Sequence, residues 1–246
     1  MAVTKLTSST PDIKPSREPQ HTTPLREKYF SVLLGLQIVT LFFISPVVGN
    51  SGTQYNWIID VFLILMACVS VFAFRNPLER KLTMFIFAVC ITGLAFSPFI
   101  TDYKLSAILF TLSGVIFCAI VSWTVGEKLF AEGPVTLHRI QGAIVIYLNI
   151  AMTFAGLDNL LVYLLPNAYS NISPGVKDNI STMIYFSFTT LTTTGYGDIV
   201  PLHPYARSLA SLESVIGQFY LATLIALLVG LHVSHRNKVH SLKQSD

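Results

Sequence analysis

The feature that most limits how this chain can fold is a series of six apolar runs, at about 29–47, 56–74, 82–99, 105–125, 139–165 and 205–234. Each is close to or beyond the ~20 residues that a helix needs to cross a bilayer core. Of 246 residues, 52 % are apolar and only 12 % are Asp, Glu, Lys or Arg, and those charges fall in the gaps between runs. An ordinary soluble domain is not built this way. The runs predict an all-α integral membrane protein with six transmembrane helices. Thirteen of the sixteen Lys and Arg residues fall on one side of that layout, in the N-terminal arm, two alternate connections and the C-terminal tail. That asymmetry predicts cytoplasmic termini. A formal net charge of +3 reflects it and gives no reason to invoke nucleic acid.

Between the last two runs lies a shorter apolar segment, Asp178 to Leu191, too short to span and opened by capping residues. It predicts a re-entrant helix. Directly after it comes Thr192-Thr193-Thr194-Gly195-Tyr196-Gly197-Asp198. Non-helical backbone at membrane depth must line water or be buried in protein. Carbonyls reach a common axis only if successive residues alternate in dihedral handedness. Glycine reaches positive φ without a Cβ clash, so Gly195 and Gly197 permit that alternation.

This run, with the Thr-rich segment before it and Ile199-Val200-Pro201 after it, resembles the signature of tetrameric potassium channels. The stretch Leu212 to Ala222 is similar to the inner helix of small prokaryotic ion channels. The resemblance covers about 135–234 and implies a pore domain of outer helix, turret, pore helix, filter and inner helix. It implies a homotetramer, because one chain holds one filter. Four regions are then expected: a disordered cytoplasmic arm at 1–28, a peripheral four-helix domain at 29–130, the pore domain at 135–234 and a short cytoplasmic tail at 235–246. The implied partners are identical subunits, membrane lipid and the permeant potassium ion. The implied place is the plasma membrane of a prokaryotic cell. No nucleophile–base pair, phosphate loop, metal cluster or cofactor motif is present in the sequence, so neither an enzyme nor a bound cofactor is expected.

The resemblance implies roles residue by residue. Thr193, Thr194, Gly195 and Tyr196 supply carbonyl ligands to K⁺, with the Thr193 hydroxyl beneath them and Gly197 completing the filter. Asp198 supports the mouth, and Tyr185 and Phe186 pack around Tyr196. Thr189 stands where related channels often place a Glu to partner the filter Asp, so that carboxyl pair is missing. Thr194 departs from the usual Val or Ile. Either its hydroxyl finds a buried partner such as Thr189 or Thr190, or selectivity is altered. Gly217 occupies the hinge-glycine position, with close packing the other reading. Gln218, Leu221, Ile225 and Val229 recur at helical spacing as cavity-lining candidates. Glu213, a carboxyl within an apolar span, is read either as an acceptor for pore-helix threonines or a neighbouring helix, or as a proton sensor.

Six runs invite comparison with voltage-gated channels. Each charge crossing the field contributes only about 2.3 kcal/mol per 100 mV, so a sensor needs several basic residues on its fourth span. The fourth run, Leu105 to Trp123, has none; Lys104 and Lys128 flank it. Two rivals stay open, a weakly selective cation channel and a non-conducting subunit that joins a complete channel. Cys68, Cys90 and Cys118 are read as small apolar residues, and two Asn-X-Ser triplets, at Asn171 and Asn179, have the glycosylation form.

Overall fold

The computed structural model describes residues 24–44, 103–129, 137–172 and 180–243, with the isolated helical positions Leu65, Lys81, Met84 and Phe85. The second and third predicted spans otherwise lie outside the described residues, as do Cys68 and Cys90. Five α-helices are described in full: α1 Pro24–Val39, α2 Tyr103–Leu129, α3 Leu137–Leu164, α4 Ile180–Leu191 and α5 Pro204–Lys243. Thr40–Ile44 continues α1 as a π-helical turn.

Three helices are long and apolar enough to cross a membrane, over Ala107–Glu127, Arg139–Leu164 and Pro204–Gly230. The apolar part of α1, Ser31–Phe43, is shorter than that among the described residues. Two boundaries differ from the sequence reading. Helix α1 starts at Pro24, inside the expected disordered arm, because proline at a first helical position forfeits only an N–H that has no partner there. Helix α5 continues through 235–243, where the sequence suggests only a tail. Its 40 residues reach about 60 Å at 1.5 Å per residue, twice a bilayer core.

Side-chain pairings fix how the helices run. Thr111 and Val115 of α2 meet Asn159 and Gly156 of α3, while Val125 meets Gly142, so α2 and α3 are antiparallel. Ser31 bonds Gln141 at 2.8 Å and Gln37 bonds Asn149 at 2.9 Å, so α1 runs parallel to α3. Tyr220 donates to Ala143 O at 2.7 Å, placing α5 on another flank of α3. Helix α4 sits between α3 and α5.

In lipid, helices gain little by hiding apolar side chains from one another, since the lipid is as apolar as leucine; close backbone approach and interhelical hydrogen bonds decide association. Helix α3 is built for that. Ala143, Ala151 and Ala155 are fully buried, and a Cβ on Gly156 would lie 2.5 Å from Val115 Cγ2. Hydroxyls along α2 are satisfied within the helix, Thr111 to Ala107 O, Ser122 to Cys118 O and Thr124 to Ile120 O. Cys118 is buried, in a cluster with Phe117, Val121, Val125 and Ile146.

Candidate functional site

The end of α4 sets the course of the chain beyond it. Thr193 N–H donates to Thr190 O at 3.0 Å and Thr194 N–H donates to Thr189 O at 2.8 Å, with Thr193 at φ 58°. That pair of bonds around one left-handed residue is a Schellman helix end, a position glycine usually fills. A β-branched residue there costs on the order of 1–3 kcal/mol and persists only where its surroundings hold it. Gly195 N–H adds a third bond to Thr189 O, at 3.1 Å. The residue that stops the helix is therefore also the first left-handed residue of the Gly-bearing strand.

Positive φ recurs at Gly195 (53°) and Gly197 (79°), and neither Thr194 nor Tyr196 shares it. Handedness thus alternates from 193 to 197. Alternation rotates each peptide plane against the last, which brings successive carbonyls to the same side of the strand. A row of such oxygens can take the place of water around a cation. No described residue of the single chain covers the row: Thr192 through Asp198 are all exposed, while Leu191 immediately before them is buried.

The strand is held from behind by the chain's own side chains. The rings of Tyr185 and Tyr196 stack, 6.3 Å apart and 2° from parallel. The Tyr185 phenol lies within electrostatic reach of the Asp198 carboxyl. No carboxyl stands at Thr189 to partner Asp198; the Thr189 hydroxyl donates to Phe186 O at 2.9 Å. Phe186 does not join Tyr196. It is buried and meets Tyr169 edge-on at 5.3 Å, because its side of α4 faces the helix bundle. Nor does the Thr194 hydroxyl reach Thr189 or Thr190; it lies exposed, 2.9 Å from the Thr192 hydroxyl, because the left-handed turn at Thr193 brings the two together.

A clamp that the sequence did not reveal secures the far end of the strand. Residues 168–171 run antiparallel to 198–203, bridged at Tyr169 and Pro201. Ser170 N–H donates to Val200 O at 2.9 Å, Val200 N–H to Ser170 Oγ at 2.8 Å, and Leu202 N–H to Ala168 O at 2.8 Å. Asn171 Nδ2 donates to Asp198 O at 2.6 Å, from a left-handed backbone (φ 57°) that asparagine tolerates well. A glycan on this nitrogen would displace that bond. Tyr169 is buried and donates to Asp158 Oδ1 at 2.6 Å. Burial above all, and then the Asp158 carboxyl beside it, push the Tyr169 phenol far above the ordinary tyrosine range, so it remains a donor. Asp158 is fully buried in this contact and does not reach interfacial water as its place near a helix end would imply.

After the clamp, α5 opens at Pro204, and Tyr205 N–H donates to His203 Nδ1 at 3.3 Å, a side-chain cap. Two residues of α5 meet α4. Glu213, fully buried, pairs with Ser187 and with none of the threonines, since Ser187 lies on the α4 face turned toward α5. Gly217 lies against the end of α4: a Cβ there would sit 2.5 Å from Leu191 O and 2.9 Å from Leu191 Cδ1. This is close packing, with a backbone atom as the neighbour. Below it, Gln218, Leu221, Ile225 and Val229 are exposed along α5, as is Phe219 at 66 %.

Residues 143–232 match the family model described as ion channel. The matched stretch begins inside α3 and ends inside α5, so it encloses α4, the left-handed strand and its clamp; α1 and α2 lie outside it. Three long apolar helices and an ion channel domain are the make-up of a membrane protein. No curated protein matches the chain.

Of the residues singled out in the sequence, Tyr185, Thr189, Thr193 to Asp198, Glu213 and Gly217 come together around the end of α4. The cavity-lining candidates fall on one exposed stretch of α5, and Phe186 turns away. Sequence reasoning missed Tyr169, Asn171 and Ser187. The signals present were weak: an asparagine suited to a left-handed turn, and a serine in an apolar helix that a buried carboxyl on another helix would need.

Proposed function

We propose that this protein is a potassium-selective channel that conducts K⁺ passively through a fourfold pore. The observation that carries the proposal is the alternation of handedness at Thr193, Gly195 and Gly197. Four such strands around one axis would offer rings of carbonyls from Thr193, Thr194, Gly195 and Tyr196, with the Thr193 hydroxyls as a further ring. Those rings suit a dehydrated monovalent cation.

The assembly is read from what one chain leaves uncovered. The strand is open along its whole length, and α5 exposes Leu212, Val215, Phe219, Ile225 and Val229. Three further copies would cover the first and line a cavity with the second. Helix α4, about 18 Å long at 1.5 Å per residue, would end with its carbonyl pole near that cavity and favour a cation there. Both termini would be cytoplasmic and the Asp198 end of the filter external. Without basic residues on α2 between Lys104 and Lys128, voltage would not drive opening through a moving charged helix.

The rival non-conducting subunit differs in one respect: it needs a second protein. Purified protein in liposomes loaded with K⁺ should therefore carry K⁺ flux unaided. Flux only after adding another channel protein would favour the rival.

A further inference from the structure

Three oxygens from three helices meet where α4 is wedged between α3 and α5. Ser187 Oγ lies 2.7 Å from Ala151 O and also pairs with Glu213 Oε1. All three residues are completely buried. Two hydrogen bonds need two protons. The Ser187 hydroxyl brings one, and a backbone carbonyl brings none. An ionised Glu213 would leave two acceptors competing for that single proton, with oxygen lone pairs pressed together in one of the contacts. A single hydroxyl hydrogen can point well at only one of two acceptors.

We infer that Glu213 is held as a neutral carboxylic acid that donates its proton to Ser187 Oγ, so that the Ser187 proton is free for Ala151 O. The result is a directed chain of hydrogen bonds from α5 through α4 to α3. A charged carboxyl at this depth would need several donors or a cation. Its second oxygen, Oε2, has no partner among the described residues. The titratable groups that act on it are Tyr147 and Asp158 of α3 and Tyr169 of the turn beyond; none can supply positive charge. Helix α4 has no acidic or basic residue at all. Glu213 is thus a positioning residue. Its proton fixes Ser187, six positions before the first left-handed residue of the strand. Loss of that proton at high pH would expel the carboxylate from its seat and release α4. This last consequence, for conduction, rests on the potassium-pore reading; the protonation state does not.

The test compares wild type, Glu213→Gln and Ser187→Ala in liposomes. The infrared difference between wild type and Glu213→Gln at neutral pH should contain the carbonyl band of a protonated carboxylic acid. Ser187→Ala should shift that band to higher frequency, since the acid loses its acceptor. A carboxylate band in its place overturns the inference, as does a protonated band that ignores Ser187→Ala. Glutamine offers a neutral donor of the same shape, so failure of Glu213→Gln to fold also counts against it. For K⁺ flux, wild type should lose at least about tenfold on the alkaline side of its profile while Glu213→Gln stays flat; a factor of ten corresponds to about 1.4 kcal/mol. Equal alkaline loss in both contradicts the positioning role. The infrared bands without flux in either protein would sink the pore reading and leave the protonation intact.

Discussion

The back and the front of the Gly-bearing strand are treated differently by the chain that carries it. Behind and beyond it, from Tyr185 to the clamp at 168–171, the described residues hold it within the single chain: a stacked ring, a tyrosine beside an aspartate and a short antiparallel ladder. In front of it, and at Gln218, Leu221, Ile225 and Val229 of α5, the side chains stand exposed. Shape is therefore set within the single chain, while in the proposed fourfold pore function would lie in the space between copies. A rigid backing with an open face is what a pore-forming protomer requires, because carbonyls must keep their spacing before the other copies arrive.

The largest expected effects come from breaking the backing at its core. Gly195→Ala or Gly197→Ala forces a left-handed residue to carry a Cβ, at roughly 1–2 kcal/mol per copy. Over the four copies of the proposed pore that would disfavour the conducting form by on the order of 4–8 kcal/mol, so liposome K⁺ flux should fall beyond detection. A Cβ meets nothing within 4 Å at either glycine in the single chain, so folding should survive, as size-exclusion chromatography in detergent would show. Gly217→Ala should act oppositely, through packing. Its Cβ collides with the Leu191 carbonyl, and overpacking of this kind costs about 1–3 kcal/mol. Thermal unfolding should drop clearly, whereas unchanged stability with altered opening would restore the hinge reading.

Asn171→Ala sharpens the comparison at the rim. It removes a bond to Asp198 O worth about 0.5–1.5 kcal/mol, so flux should fall only several-fold, with a small drop in unfolding temperature. Thr194→Val should do least. It deletes an exposed hydroxyl contact with Thr192, and surface changes of this kind usually stay within about 0.5 kcal/mol. Unchanged ion preference is expected in bi-ionic flux; a large change would make Thr194 the determinant of selectivity.

Much of the backing was legible in the sequence because its constraints are local. Gly195 and Gly197 announce left-handed backbone, and a capped apolar segment of about a dozen residues announces a re-entrant helix. What stayed hidden depends on geometry between distant residues. Thr193 gives no sign of positive φ, since the strain is imposed by the helix end and the strand around it. Tyr169 and Asp158, like Ser187 and Glu213, meet only once the helices pack, and no spacing rule pairs them. Phe186 departs from its expected place for a related reason: adjacent residues on a helix point about 100° apart, so Tyr185 and Phe186 cannot both face Tyr196.

If main-chain oxygens from Thr193 to Tyr196 select K⁺, the most direct measurement is the reversal potential of purified protein in a bilayer with K⁺ on one side and Na⁺ on the other. A potential set by the K⁺ gradient, with Na⁺ nearly impermeant, is the predicted result. A potential near zero, with K⁺ and Na⁺ passing about equally, would contradict it.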